Sequence, residues 1–261
     1  MDGRNPKREK EGIVMARLTK LLVGLAVILY LGATPYGATA ITFTGSSGSL
    51  SASADFSVVG SNLQVVLTNT SLVDVVVPVD VLTALFFDVN GVGALTPVSA
   101  LLGGGSTVFF DPLPAGGVVG GEFAYASGLA GAPGGATEGI SSSGFGLFGN
   151  PNFGGADLEP PAAVNGLQYG LTSAGDNSGT GNAAVTGGNP LIQNSVTFLL
   201  TGIPVGFDPS TAITNVSFQY GTALTEPNVP PTGTPVPEPS TMLLLGSGLL
   251  GLWGFRRKFK K

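Results

Sequence analysis

Four carboxylates in the middle of the chain are the side chains that could carry out acid–base chemistry: Glu122, Glu138, Asp157 and Glu159. Two of them could supply the acid and the base of a glycoside hydrolase. Serine nucleophiles and zinc sites are excluded between residues 41 and 235, because this stretch contains no His, Lys, Arg or Cys. It also contains no Trp for sugar stacking. We therefore expect solvated surface carboxylates and no enzymatic activity.

Two short loops carry oxygen ligands of the kind that calcium prefers. Residues 88–91 read Asp-Val-Asn-Gly, and residues 176–179 read Asp-Asn-Ser-Gly. Neither loop completes the D-x-[DN]-x-[DN]-G pattern with a later bidentate Glu. Ordinary turn chemistry explains both loops as well. Calcium is thus a weak candidate ligand; no other cofactor is expected, and no metal-binding residue is assigned.

Charge is distributed very unevenly along the chain. All 11 basic residues lie within residues 1–20 or 256–261. Of the 16 acidic residues, four lie outside residues 41–235 (Asp2, Glu9, Glu11 and Glu238), which leaves 12 inside. The net charge of the whole chain, -5, conceals this strongly negative body. Such a body repels nucleic acid and anionic lipid and attracts divalent cations.

Strands must position these side chains, because apolar residues alternate at many places and no 3.6-residue period is present. Residues 62–69 place Leu63, Val65 and Leu67 on one face, and residues 81–89 form a nearly continuous apolar run, typical of a central strand before an Asn90-Gly91 hairpin turn. Further strands are predicted at 75–79, 107–110, 118–125, 195–200 and 213–220. Residues 127–190 are rich in Gly, Ser and Asn, which predicts long loops. The predicted fold is all-β, an antiparallel β-sandwich or jelly roll.

The first 40 residues have the pattern of a secretory signal peptide. Arg17 and Lys20 precede an apolar run at 21–31, and Ala38 and Ala40 form a small-x-small cleavage site. Since Met15 opens this pattern directly, it is a candidate for the true start. We expect cleavage after Ala40.

The last part of the chain contains three features in a fixed order. A proline-rich segment at 227–239 ends in Val236-Pro237-Glu238-Pro239 and predicts a semi-rigid, polyproline-like spacer that holds the body clear of the membrane. A run of 16 mainly apolar residues from 240 to 255 predicts a transmembrane helix about 24 Å long. The positive-inside rule puts the basic tail in the cytoplasm and the body on the other side of the membrane. The charged residues of this tail are Arg256, Arg257, Lys258, Lys260 and Lys261.

This order resembles the PEP-CTERM sorting signal of bacterial proteins that exosortase processes. The resemblance implies that Val236, Pro237, Glu238 and Pro239 form the recognition element and that the basic tail is the stop-transfer signal. It also implies export by the secretion translocon, cleavage by signal peptidase, retention in the inner membrane with the body in the periplasm, and final delivery to the cell surface or the extracellular matrix. The family is associated with exopolysaccharide, which makes that polymer a candidate partner.

The sequence thus predicts four regions: a signal peptide at 1–40, a β-rich extracytoplasmic body at 41–226, a linker at 227–239, and a membrane helix with its basic tail at 240–261. For the body we expect a structural or adhesive, non-catalytic role. The alternative is a carbohydrate-binding or carboxylate-dependent glycan-active protein, which the four central carboxylates leave open.

Overall fold

The computed structural model describes residues 40–233 and the backbone of residues 236–237. Within these residues the regular secondary structure consists almost entirely of β-strands. The strands are β1 (Ala40–Ser47), β2 (Leu50–Val59), β3 (Asn62–Asn69), β4 (Leu82–Val89), β5 (Thr96–Leu102), β6 (Thr107–Phe109), β7 (Ala124–Ser127), β8 (Glu138–Ser141), β9 (Leu171–Thr172), β10 (Leu191–Gln193), β11 (Ser195–Thr201), β12 (Ile213–Tyr220), β13 (Asn228–Val229) and β14 (Val236–Pro237). One short helix, α1 (Pro209–Ala212), and four 3₁₀ turns complete this part of the chain. The all-β prediction is confirmed.

The first sheet has six strands in the order β14-β1-β2-β3-β11-β5, and every neighbouring pair is antiparallel. Alternation explains why β2 and β3 lie here, because every second side chain of each strand is buried. In β3 the buried side chains are Leu63, Val65 and Leu67, as predicted. The hairpin of β1 and β2 was not predicted, since small residues such as Ala52 and Ala54 fill half of its buried positions.

The second sheet has eight strands, with the order β13-β12-β4-β9-β10-β6 and with β8 and β7 added beside β4. Its pairs are antiparallel except for β9 with β10. Strand β4 is buried on both faces from Leu82 to Phe87, which confirms the prediction of a central strand.

The two sheets share one hydrophobic core, as in a β-sandwich. Phe56 of the first sheet packs edge-on against Phe87 of the second, with ring centroids 5.3 Å apart. Phe123 likewise packs against Phe198 at 5.0 Å. Both rings of each pair are buried almost completely, so the contact excludes water. These contacts show that the buried faces of the two sheets pack against each other.

Three local predictions are wrong. Residues 75–79 form a loop and the start of a 3₁₀ turn, because their amides are hydrogen-bonded to carboxylates. Residues 118–123 contain a 3₁₀ turn at Gly120–Glu122, where the backbone of 154–157 approaches so closely that a Cβ at Gly121 would lie 1.8 Å from the carbonyl oxygen of Ala156. The Asn90-Gly91 turn exists, with φ of 76° at Gly91, but it leads from β4 into the other sheet and forms no hairpin.

Residues 127–190 are mainly loops with two short strands, as predicted. Several of their apolar side chains are buried and cover the second sheet; among them, Phe148 packs against Phe86 of β4 at 5.9 Å. Among residues 40–233 and 236–237, no helix is long and apolar enough to cross a membrane. The predicted transmembrane helix at 240–261 and the signal peptide before Ala40 lie outside the described residues.

The described part of the proline-rich segment does not stand clear of the body. Asn228 and Val229 form β13, which pairs with Gln219 and Phe218 of β12. The amide of Thr232 then donates a hydrogen bond to the carbonyl of Thr44 in β1, at 2.7 Å. These residues of the predicted spacer therefore pack on the body, because they supply backbone partners that two sheet edges need.

Candidate functional site

The residues predicted for processing at the two ends of the body meet at one sheet edge. Strand β14 pairs antiparallel with β1, and the partners are Thr42 with Val236 and Ile41 with Pro237. Ile41 directly follows the predicted cleavage site at Ala40, and Val236 and Pro237 are the first two residues of the predicted recognition element. The sequence offered no signal for this proximity.

A proline in this position suits an edge strand. Pro237 has no amide hydrogen, so it can stand only where no further strand needs a donor from it. β14 is the outermost strand of the first sheet and covers part of the free edge of β1. Covering an edge limits pairing with other chains. The described half of the recognition element thus forms part of the body's sheet.

The predicted signal-peptide cut falls at the start of β1. Ala40 already pairs with Ser57 of β2, and Ile41, the expected first residue after the cut, is 4% exposed. A protease must bind an extended, accessible segment, so this cut has to precede the folding of β1 into the sheet. Ala38 lies outside the described residues, as do Glu238, Pro239 and the basic residues Arg256, Arg257, Lys258, Lys260 and Lys261.

The acidic side chains have a common role in the described residues. Because residues 41–235 lack Lys, Arg and His, their carboxylates can form no side-chain ion pair there. Ten of the 12 instead accept hydrogen bonds from amides or hydroxyls. These ten are Asp55, Asp74, Asp80, Asp88, Asp111, Glu122, Glu138, Asp176, Asp208 and Glu226. Charged acceptors make stronger hydrogen bonds than neutral ones. Asp55 links β2 to β1 and Glu138 links β8 to β7, whereas the other eight carboxylates fasten loops or turns.

Glu122 shows this role most clearly. Its side chain is 6% exposed, and its Oε1 accepts hydrogen bonds from the amides of Leu158 at 2.7 Å and Glu159 at 3.2 Å. Burial raises the pKa of Glu122 above its ordinary value, and the nearby charges of Asp157 and Glu159 add to that effect, whereas the two amides oppose it. Glu122 therefore anchors the loop at 157–159.

Glu138 is buried at the first residue of β8 and accepts a hydrogen bond from the hydroxyl of Tyr125. Burial raises the pKa of Glu138, and it also raises the pKa of Tyr125. The Tyr125 hydroxyl in turn accepts from the amide of Leu95 at 3.2 Å, so the pair connects β7 and β8 to the loop before β5. Glu138 is thus another structural anchor.

One of the four central carboxylates, Asp157, lines a surface pocket. A surface pocket of about 150 Å³ is lined by Gly121, Asn150, Pro151, Phe153, Gly155, Asp157 and Ala162. Asp157 is exposed there. Glu122, Glu138 and Glu159 do not line this pocket. A glycoside hydrolase requires two carboxylates flanking the same bond, and this pocket offers one.

The two loops considered for calcium are closed by hydrogen bonds within the protein. Asp88 Oδ1 accepts from the amide and the hydroxyl of Thr137, at 2.7 and 2.9 Å. Asp176 Oδ1 accepts from the amide of Val75 at 2.7 Å, and burial raises the pKa of Asp176. Across the described residues, no three Asp or Glu side chains form a group that could hold a metal ion. Asp88 and Asp176 thus each fasten their loop to a distant segment of the chain.

Residues 235–258 match the model of the PEP-CTERM protein-sorting motif. This match covers the recognition element, the apolar run and the start of the basic tail, the same residues on which the sequence prediction depends. No curated protein and no solved structure matches the chain. The chain thus carries a PEP-CTERM sorting motif, which indicates an exported protein directed to exosortase and to the cell surface.

Proposed function

We propose that this protein is a non-catalytic, structural or adhesive component of the cell surface or extracellular matrix, linked to exopolysaccharide. In the precursor the segment at 240–261 anchors the chain in the inner membrane, with the body in the periplasm, until exosortase acts. The observation that carries the proposal is the use of the acidic side chains: ten of 12 carboxylates accept hydrogen bonds from amides or hydroxyls of a body that lacks any basic side chain. Such groups stabilise a fold and are poorly placed to transfer protons to a substrate.

The surface charge supports a role that depends on cations. Only three of the 12 carboxylates are buried: Glu122, Glu138 and Asp176, referred to below as the three buried carboxylates. The other nine remain at least partly accessible, and no positive side chain of the body compensates them. Copies of the body therefore repel each other at low ionic strength. Multivalent cations remove this repulsion and can bridge the body to acidic groups of a polysaccharide.

Deletion of the gene tests the proposal, with cell aggregation and matrix retention as the measurements. We expect weaker aggregation and poorer retention in the deletion strain, and restoration by the intact gene. A chelator that removes divalent cations should likewise weaken aggregation and matrix retention in wild-type cells. Unchanged aggregation and retention in the deletion strain would contradict the structural role.

The alternative is a carbohydrate-binding or glycan-active protein, and the pocket beside Asp157 is the observation that favours it. A glycan-binding and glycan-hydrolysis screen of the purified protein tests this alternative. Asp157→Asn removes the one charge that lines the pocket, and Asp208→Asn is the matched control, since Asp208 caps α1 elsewhere. Turnover that disappears in Asp157→Asn and persists in Asp208→Asn would replace the structural proposal with the glycan-active one.

A further inference from the structure

Residues 230–233 and 236–237 lie beside β1 between Gly45 and Ile41. We define the strap as residues 230–233 together with β14. The strap begins beside Gly45, continues through the hydrogen bond from the Thr232 amide to the Thr44 carbonyl, and ends in the pairing of Val236 with Thr42. Thr42 and Thr44 present their backbone groups to the same edge, because alternate residues of a strand point in the same direction.

From this arrangement we propose that the folded body holds the first two residues of its own recognition element, Val236 and Pro237, as an edge strand, and that exosortase can process the motif only after this pairing opens. The substrate segment and the partner surface belong to the same chain. The outer edge of β1 is therefore a binding site for an extended, proline-containing strand.

The motif cannot pair with β1 and bind in the active site of exosortase at the same time, and the reason is geometric. A protease typically binds its substrate as an extended segment through backbone hydrogen bonds, as an added strand does. In the folded body the backbone of Val236 is already paired with Thr42. The same backbone groups cannot serve both partners at once, so the motif has to leave β1 before it enters an active site.

A second observation shows that the body is shaped for the strap. Gly45 of β1 is buried, and a Cβ at this position would lie 2.8 Å from the carbonyl oxygen of Pro230 and 3.0 Å from the ring of Phe218. Any other residue would thus displace the strap or the core beneath it. After Thr232 the strap turns at Gly233, whose φ of 100° favours glycine. Both glycines allow the strap to follow β1 closely.

A disulfide lock between the two strands tests the proposal directly. The chain contains no cysteine, so the double variant Thr42→Cys/Val236→Cys can form only one intramolecular bridge. Directly opposed residues of antiparallel strands have Cα atoms about 4.5–5.5 Å apart, within the range of disulfides. The full chain is expressed in cells with active exosortase, and pulse–chase labelling follows the loss of the C-terminal segment.

We expect the oxidised double variant to be processed at least tenfold more slowly than the same variant after reduction. The single variants Thr42→Cys and Val236→Cys should be processed like the wild type with and without reductant, which controls for changes in the motif itself. Failure of the bridge to form in the folded chain, or processing of the bridged chain at the wild-type rate, would overturn the proposal.

A complementary variant opens the pairing without touching the motif. Thr42→Pro removes the amide that faces β14, while the ladder between β1 and β2 uses the other edge of the strand. We expect processing to become about tenfold faster. Thr42→Val is the matched control, because it keeps the amide and loses only the hydrogen bond of the Thr42 hydroxyl to Asp55. An unchanged processing rate in a correctly folded Thr42→Pro chain would contradict the proposal. If the Thr42→Pro chain does not fold, the disulfide lock tests the proposal instead.

Discussion

Replacing Glu122 with Gln or with Ala separates two opposite effects of this buried side chain on stability. Gln keeps an oxygen that can accept from the amides of Leu158 and Glu159, but it removes the negative charge. Ala removes the acceptor as well and leaves both amides without it. The two substitutions should therefore change the free energy of unfolding in different directions at neutral pH.

The loss in Glu122→Ala can be worked out from the two hydrogen bonds. A buried amide left without its partner costs about 1–3 kcal/mol. Leu158 and Glu159 are only half-buried, so water can replace part of the lost interaction and the lower end of the range applies. We expect a loss of about 2–3 kcal/mol, which lowers the melting temperature of a domain of this size by about 4–12 °C.

The effect of Glu122→Gln depends on pH. Because burial raises the pKa of Glu122 above its ordinary value of 4.5, the folded protein binds a proton there more tightly than the unfolded chain. The wild type loses stability as pH rises through the raised pKa, and the Gln variant does not. Gln should thus match the wild type below pH 4.5 and be more stable than it at pH 8.

Urea denaturation of the purified protein at pH 4 and pH 8, followed by circular dichroism, measures both variants. Amide exchange at Leu158 and Glu159 reports whether the loop stays attached, and it should accelerate in the Ala variant only. A Gln variant that is less stable than the wild type at pH 8 would refute the reasoning, because the charged hydrogen bonds would then outweigh the cost of burial. An Ala variant with wild-type stability would refute the role of Glu122 as an anchor.

Three further predictions concern the core, the pH profile and processing. Phe56→Ala should lower the free energy of unfolding by about 3–5 kcal/mol in a denaturant titration, because the ring is fully buried between the sheets. Val59→Ala, at a side chain that is 48% exposed, should change it by less than about 0.5 kcal/mol. Equal losses in the two variants would contradict the observed core. The wild-type melting temperature should be higher at pH 5 than at pH 8. Burial raises the pKa of each of the three buried carboxylates, so the protonated groups stabilise the folded protein, and this contribution is lost as pH rises through the raised pKa values. A higher melting temperature at pH 8 would count against the burial of these carboxylates. The intact mass of the protein at the cell surface should correspond to a chain without residues 1–40 and without the C-terminal segment that contains Trp253. A surface species that retains Trp253 in cells with active exosortase would argue against processing.

Much of the fold could be predicted because burial leaves a periodic signal in the sequence. The alternation in β3 and the continuous apolar run of β4 follow from one-sided and two-sided burial. The loops at 127–190 follow from glycine and proline. The β1–β2 hairpin carries no comparable signal, since Ala52 and Ala54 pack well without being strongly apolar. The apolar run at 75–79 misled the prediction, because amide–carboxylate hydrogen bonds outweighed its strand propensity.

The candidate sites also contain features that the sequence could predict and features that it could not. The sorting motif could be found from the sequence alone, because its recognition element, apolar run and basic tail are contiguous and each has its own composition. The excess of negative charge was equally visible. Only the tertiary structure decided which amide or hydroxyl donates to each carboxylate. It also decided that Val236 pairs with Thr42, which lies 194 positions earlier in the chain. Composition is a local property, whereas these pairings arise only when distant strands complete one sheet and share its edge.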